Sequence, residues 1–224
     1  MKISAILFGS TGMIGKGVLL ECLENSEVVN VLVINRHSCN IRHPKLKEVI
    51  HENLFDLSSL TGELTGYNTC FFCLGISSGG LSETKYREIT FYLTMSVAET
   101  VLKYNNDIRF CYISGAGTDS SEKGRMMWAR VKGKTENNLL AMPFRKAYMF
   151  RPGFIQPMKG IRSRTRLYNL LYLFFKPFYF ILRHFESFVM TTEILGKAMI
   201  YAVSDETEKN ILESSDINTL VKGR

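Results

Sequence analysis

The chain has 224 residues, 46% hydrophobic and 22% charged, with a formal net charge of +7. That size suits one α/β domain with a full core, and the composition excludes an intrinsically disordered chain. The positive charge suits an anionic ligand or an acidic membrane surface, while the lack of any zinc-finger or RNP spacing argues against nucleic acid as a partner.

The first predicted element is an apolar strand, Ile3–Phe8, which runs directly into Gly9, Ser10, Thr11, Gly12, Met13, Ile14 and Gly15. Glycines in a GxxGxxG spacing, after a strand and before a helical pattern reaching Glu24, suit a pyrophosphate loop. Gly9 permits a tight turn, Gly12 lets backbone N–H groups approach the ligand, and Gly15 lets the helix pack close. The ligand's negative charge then meets the positive end of the helix.

Further strands are predicted at Val28–Asn35, from 49–50, and at 69–74, 108–113 and 147–150. Helices are predicted over 82–104, 124–140 and 191–203, and 211–221 reads as a closing strand or turn and helix. Alternating apolar strands and helices imply a Rossmann-type, doubly wound parallel sheet, with ligands at the carboxyl ends of its strands. The whole chain reads as one domain, with 154–190 as a small helical cap that contacts substrate, membrane or partner.

Five cysteines in no framework spacing suit a reducing compartment. Cys70 and Cys73 form a CxxC, but in a strand residues three apart face opposite ways, so both are expected in the core. The four histidines have no metal-ligand spacing, so no metal is expected. The N-terminal apolar run is too short and glycine-broken for a signal peptide, which points to the cytoplasm. Arg162, Arg164 and Arg166 precede an apolar stretch, 167–182, broken by Lys176 and Pro177. Each half is too short to span a bilayer, leaving a buried lid, a homodimer face or peripheral membrane contact through 162–182.

Residues 1–155 resemble the atypical short-chain dehydrogenases/reductases, in the subgroup that holds Tat-interacting-protein reductases and bacterial NAD(P)-binding proteins. The landmarks, in order, are the glycine loop from Gly9 to Gly15, Asn35-Arg36-His37, Asp56-Leu57, Cys73-Leu74-Gly75-Ile76, Ile113-Ser114-Gly115-Ala116, the segment around Lys132, and Arg151-Pro152-Gly153. The resemblance implies that Asp56 and Leu57 hold adenine, that Leu74 and Gly75 lie against the ribose, and that Arg151, Pro152 and Gly153 contact nicotinamide. An NAD site usually carries an acid at the end of the second strand, and here Arg36 stands near Asn35 instead. An arginine can pair with a 2′-phosphate, so NADP(H) is expected in preference to NAD(H).

The resemblance also implies a Ser, Tyr and Lys catalytic set, with Tyr four residues before Lys. Ser114 and Lys132 match, but Trp128 occupies the tyrosine position. An indole N–H donates a hydrogen bond and does not titrate, so Trp128 cannot shuttle a proton. Trp128 and Arg162 are instead expected to shape the substrate pocket. Tyr172 and Lys176 also spell YxxxK, and they are read as a chance match within the apolar stretch. Two functions remain: an oxidoreductase, epimerase or dehydratase with a rearranged proton donor, or an inactive NADPH-binding regulatory protein, either free or peripheral to a membrane.

Overall fold

Strict alternation of side chains along the strands builds two apolar cores, one on each face of a single sheet. The computed structural model describes residues 1–161 and 189–223. Along β1 (Ile3–Phe8), Ile3, Ala5 and Leu7 enter one core, while Ile6 and Phe8 enter the other. β2 (Val28–Asn35) repeats the pattern, with Val31 and Val33 on the first face and Leu32 and Ile34 on the second. β4 (Thr69–Phe72), β5 (Arg109–Ile113) and β6 (Lys146–Arg151) follow suit. Cys70 lies in the second core and Cys73 packs against the first, and the five cysteines are free thiols.

With β3 (Leu46–Ile50) and β9 (Ile211–Glu213), these strands form a seven-stranded parallel sheet in the order β3-β2-β1-β4-β5-β6-β9. The order reverses between β1 and β4, which opens a crevice at their carboxyl ends. α1 (Met13–Glu24), α5 (Thr192–Ser204) and α6 (Ser214–Lys222) supply the first core. α3 (Leu93–Tyr104) and α4 (Met127–Ala141) supply the second. The sheet is therefore doubly wound. β7 (Phe154–Gln156) and β8 (Val189–Thr191) pair as a small separate parallel ribbon.

Several boundaries differ from the sequence pattern, and 49–50 ends β3 rather than beginning it. β4 stops at Phe72 rather than 74, since Cys73 and Leu74 turn across the glycine loop. The helix expected over 82–104 is α2 (Glu83–Arg87), capped by the Ser82 side chain, then a π turn at Glu88–Tyr92, then α3. α4 begins at Met127 rather than 124 because the Asp119 carboxylate gathers the amides of Ser121 and Gly124 and holds that stretch as a loop. The expected cap at 154–190 is represented by β7 and the start of β8. Arg162, the 167–182 stretch, Tyr172 and Lys176 lie outside the described residues. Among the described residues, no helix is long and apolar enough to cross a membrane.

Candidate functional site

The crevice at the β1/β4 reversal is built by close backbone contacts. Gly9 leaves β1 with φ +85°, and a Cβ there would sit 2.8 Å from the Cys73 backbone. Only glycine accepts both the left-handed angle and that approach. A Cβ on Gly15 would lie 2.1 Å from the Gly9 carbonyl oxygen, so α1 is drawn tightly under the loop. The Gly12 amide donates to Gly9 O at 2.9 Å, and Gly12 caps α1 without a side-chain bond. The positive end of α1 thus faces the crevice.

Three adjoining cavities form one groove along the carboxyl edge of the sheet, with Leu74, Gly75 and Ile76 in the wall of each. The first, about 300 Å³, runs past Gly9, Thr11, Gly12, Asn35, Arg36 and His37. The second, about 270 Å³, continues from Arg36 into an apolar slot of Leu54, Phe55, Ile89 and Leu93. The third, about 330 Å³, runs the opposite way, past Gly12, Met13 and Ile14 to Ser114, Lys132, Pro152 and Gly153. A Cβ on Gly75 would find no atom within 4 Å and would project into open space.

At the third cavity, the Ser114 hydroxyl donates to Phe150 O at 3.0 Å. Lys132, on α4, donates from Nζ to the Ser114 carbonyl oxygen. Burial pulls the Lys132 ammonium down to about 8, and the Glu136 carboxylate one turn on opposes the shift. Lys132 therefore holds its proton loosely near neutral pH. Trp128 sits one turn before Lys132, with Cη2 3.5 Å from where a Cβ on Gly117 would be. It packs against that loop and does not line the three cavities.

Several residues expected in the groove are elsewhere. Ser10 is fully buried behind it, hydrogen-bonded to Asn35. Gly15 serves the helix contact described above. Leu57 is buried in the second core, and the exposed Asp56 accepts from the Ser58 amide at 2.9 Å. Leu54 and Phe55, just upstream, face the groove in their place. Arg151 points away, with Nε 3.1 Å from Glu136, Nη1 3.1 Å from Glu213 and Nη2 2.6 Å from Ser120. The Glu136 side chain is fully buried, so its charge needs a partner and Arg151 is that partner. Arg151→Met is expected to destabilise the fold by about 3 kcal/mol or more by leaving Glu136 uncompensated. Urea unfolding checks this, and an unchanged midpoint would contradict the pairing.

Sequence reasoning missed three contributions. Leu54 and the π-turn residue Ile89 line the apolar slot. Glu136 was recognisable as the residue one helical turn after Lys132. Glu48 reaches the Asn35 amide from β3, and nothing in local spacing signals that.

No family model matches the chain. Protein fmp52-1, mitochondrial, of Aspergillus terreus is 26% identical over 170 residues, covering 73% of this chain and 70% of the relative. Protein FMP52, mitochondrial, of Eremothecium gossypii is 25% identical over 228 residues, covering 98% and 97%. Among solved structures, a short chain dehydrogenase family protein from Francisella tularensis aligns with a TM-score of 0.63 at 15% identity, covering 92% of this chain and 93% of that one. The Bordetella bronchiseptica enzyme WbmF, in complex with NAD+, aligns at 0.65 and 14%, covering 97% and 77%. The chain thus has a Rossmann fold, like that of these solved structures. The relatives are fungal proteins named as mitochondrial, which overturns the expectation of a cytoplasmic, bacterial-like protein.

Proposed function

We propose that this chain is an NADP(H)-dependent oxidoreductase, or a related epimerase or dehydratase, that works in the mitochondrion as its relatives' names suggest. One observation carries the reading: a single groove joins Arg36 and His37 at one end to Ser114 and Lys132 at the other, across the positive end of α1. The residues present fit a nicotinamide dinucleotide. The apolar slot of Leu54, Ile89 and Leu93 suits adenine. The glycine loop suits the pyrophosphate, and Gly75 keeps the middle of the groove open. Pro152 and Gly153 close the nicotinamide end.

When bound, NADPH supplies a hydride. The chain supplies the rest. Lys132 holds the ribose and donates the proton to the substrate oxygen, directly or through one water. Its lowered pKa makes it a better acid than an ordinary lysine. Ser114 fixes the strand end through Phe150 O, and its lone pairs remain available to substrate. Trp128 packs against the Gly117 turn and moves no proton.

Asn35 cannot replace the usual acid at the ribose. It carries no charge, it is buried, and its Oδ1, the atom that would accept from a ribose hydroxyl, already takes the Ser10 hydroxyl at 3.0 Å. Arg36 is thereby left as the charged recognition group at this end. Calorimetry with 2′,5′-ADP and 5′-AMP tests this. Arg36→Ala is expected to weaken 2′,5′-ADP about tenfold or more and leave 5′-AMP unchanged. Equal effects on both ligands would contradict the assignment.

Trp128 at the tyrosine position favours one second reading, a regulatory protein that binds NADPH without turnover. Single-turnover absorbance at 340 nm with carbonyl substrates separates the two, since only an enzyme consumes bound NADPH.

A further inference from the structure

The carboxylate of Glu48, on β3, takes its donors from the end of β2 and the loop that follows. The Ser38 hydroxyl donates to Oε2 at 2.7 Å, the Cys39 amide to Oε1 at 2.8 Å, and Asn35 Nδ2 to Oε1 at 3.1 Å. The Asn40 amide then donates to Ser38 Oγ at 3.0 Å, and Asn40 adopts φ +55° as the loop turns back. The segment from 36 to 40 is wrapped around one carboxylate. Asn35 separately pairs with Ser10 of the glycine loop. Burial raises the Glu48 carboxyl, but the bonds from Cys39, Ser38 and Asn35 outweigh it and hold the group below its usual value. It is therefore ionised at neutral pH, and its bonds are charge-assisted.

An arginine recognises a phosphate by fixed, paired N–H directions, which needs its backbone held still. Arg36 and His37 are exposed at the groove wall, and the backbone that carries them is anchored at Asn35, Ser38 and Cys39. We propose that Glu48 is a positioning residue for the ribose 2′-phosphate, holding the 36–40 loop so that Arg36 meets that phosphate. This rests on the reading that Arg36 recognises the 2′-phosphate.

The test is calorimetry on the full chain as wild type, Arg36→Ala, Glu48→Ala and the near-isosteric Glu48→Gln, each titrated with 2′,5′-ADP and 5′-AMP. Both Glu48 variants are expected to bind 2′,5′-ADP about tenfold more weakly while 5′-AMP stays within about twofold, with Glu48→Gln guarding against a fold defect in the alanine variant. A wild type without preference for 2′,5′-ADP would end the cofactor reading, and this inference with it. A preference that Arg36→Ala abolishes but both Glu48 variants retain would overturn the Glu48 role and leave that reading standing. Equal weakening of both ligands would reduce Glu48 to a structural residue, and tighter 2′,5′-ADP binding would show that its charge repels phosphate. Either outcome would overturn the proposal.

Discussion

Lys132→Met is expected to lower turnover about a hundredfold or more, the usual contribution of a positioned general acid. The fold should survive. Glu136, the buried carboxylate nearest in sequence on α4, keeps Arg151 as its partner, and Met matches the length and apolar stem of Lys. NADPH affinity should fall about tenfold, because one charge-assisted bond to the ribose is removed. The pH profile gives a sharper view. Reduction needs protonated Lys132, so kcat/KM should decline as pH rises through about 8, where burial places this group in the free protein. Stopped-flow rates with NADPH across pH 6–10 check both points. A Lys132→Met variant with wild-type rate and profile would remove Lys132 from the chemistry.

The second large effect contrasts two glycines of one crevice. Gly75→Val places a branched side chain where a Cβ meets nothing within 4 Å, at a residue shared by the walls of all three cavities. Its backbone lies outside the left-handed region, so the fold should tolerate the change. Overfilling a bound interface costs about 1–3 kcal/mol, so dinucleotide affinity should fall about 10- to 100-fold. Gly9→Ala is the reverse case. It combines φ +85° with contacts of 2.8 Å to the Cys73 backbone, and should cost about 3 kcal/mol of stability. Thermal unfolding with and without NADPH separates them. Gly75→Val should lose the ligand-induced shift in Tm and keep its own Tm, and Gly9→Ala should lose Tm itself. A Gly75→Val protein that is stabilised by NADPH like the wild type would show that the ligand does not lie in this groove.

The sheet was legible because its strands alternate cleanly. Ile6 and Phe8 against Ala5 and Leu7 is a pattern that elementary strand geometry reads directly. The glycine loop was legible because Gly9 is forced by its angle and contacts and Gly15 by its close approach to Gly9. Side-chain destinations were not. Arg151 follows a strand and precedes Pro-Gly, as a ligand-contacting residue would, yet the buried Glu136 claims it from a helix fifteen residues earlier. Asp56 and Leu57 have the right types, but the turn beginning at Ser58 takes the carboxylate and the second core takes the leucine. The π turn at Glu88–Tyr92 carries no glycine or proline to mark it, so composition hides it. Glu48 reaches Asn35 only because parallel pairing sets Val33 beside it, a register fixed by the whole β2–β3 contact.

On the function proposed above, the groove binds NADP(H) and prefers it to NAD(H). Calorimetric titration of the purified wild-type chain with NADPH and with NADH tests it most directly. Saturable 1:1 binding of NADPH, about tenfold or more tighter than NADH, is the predicted result. Binding of neither nucleotide, or equal binding of both, would contradict the account.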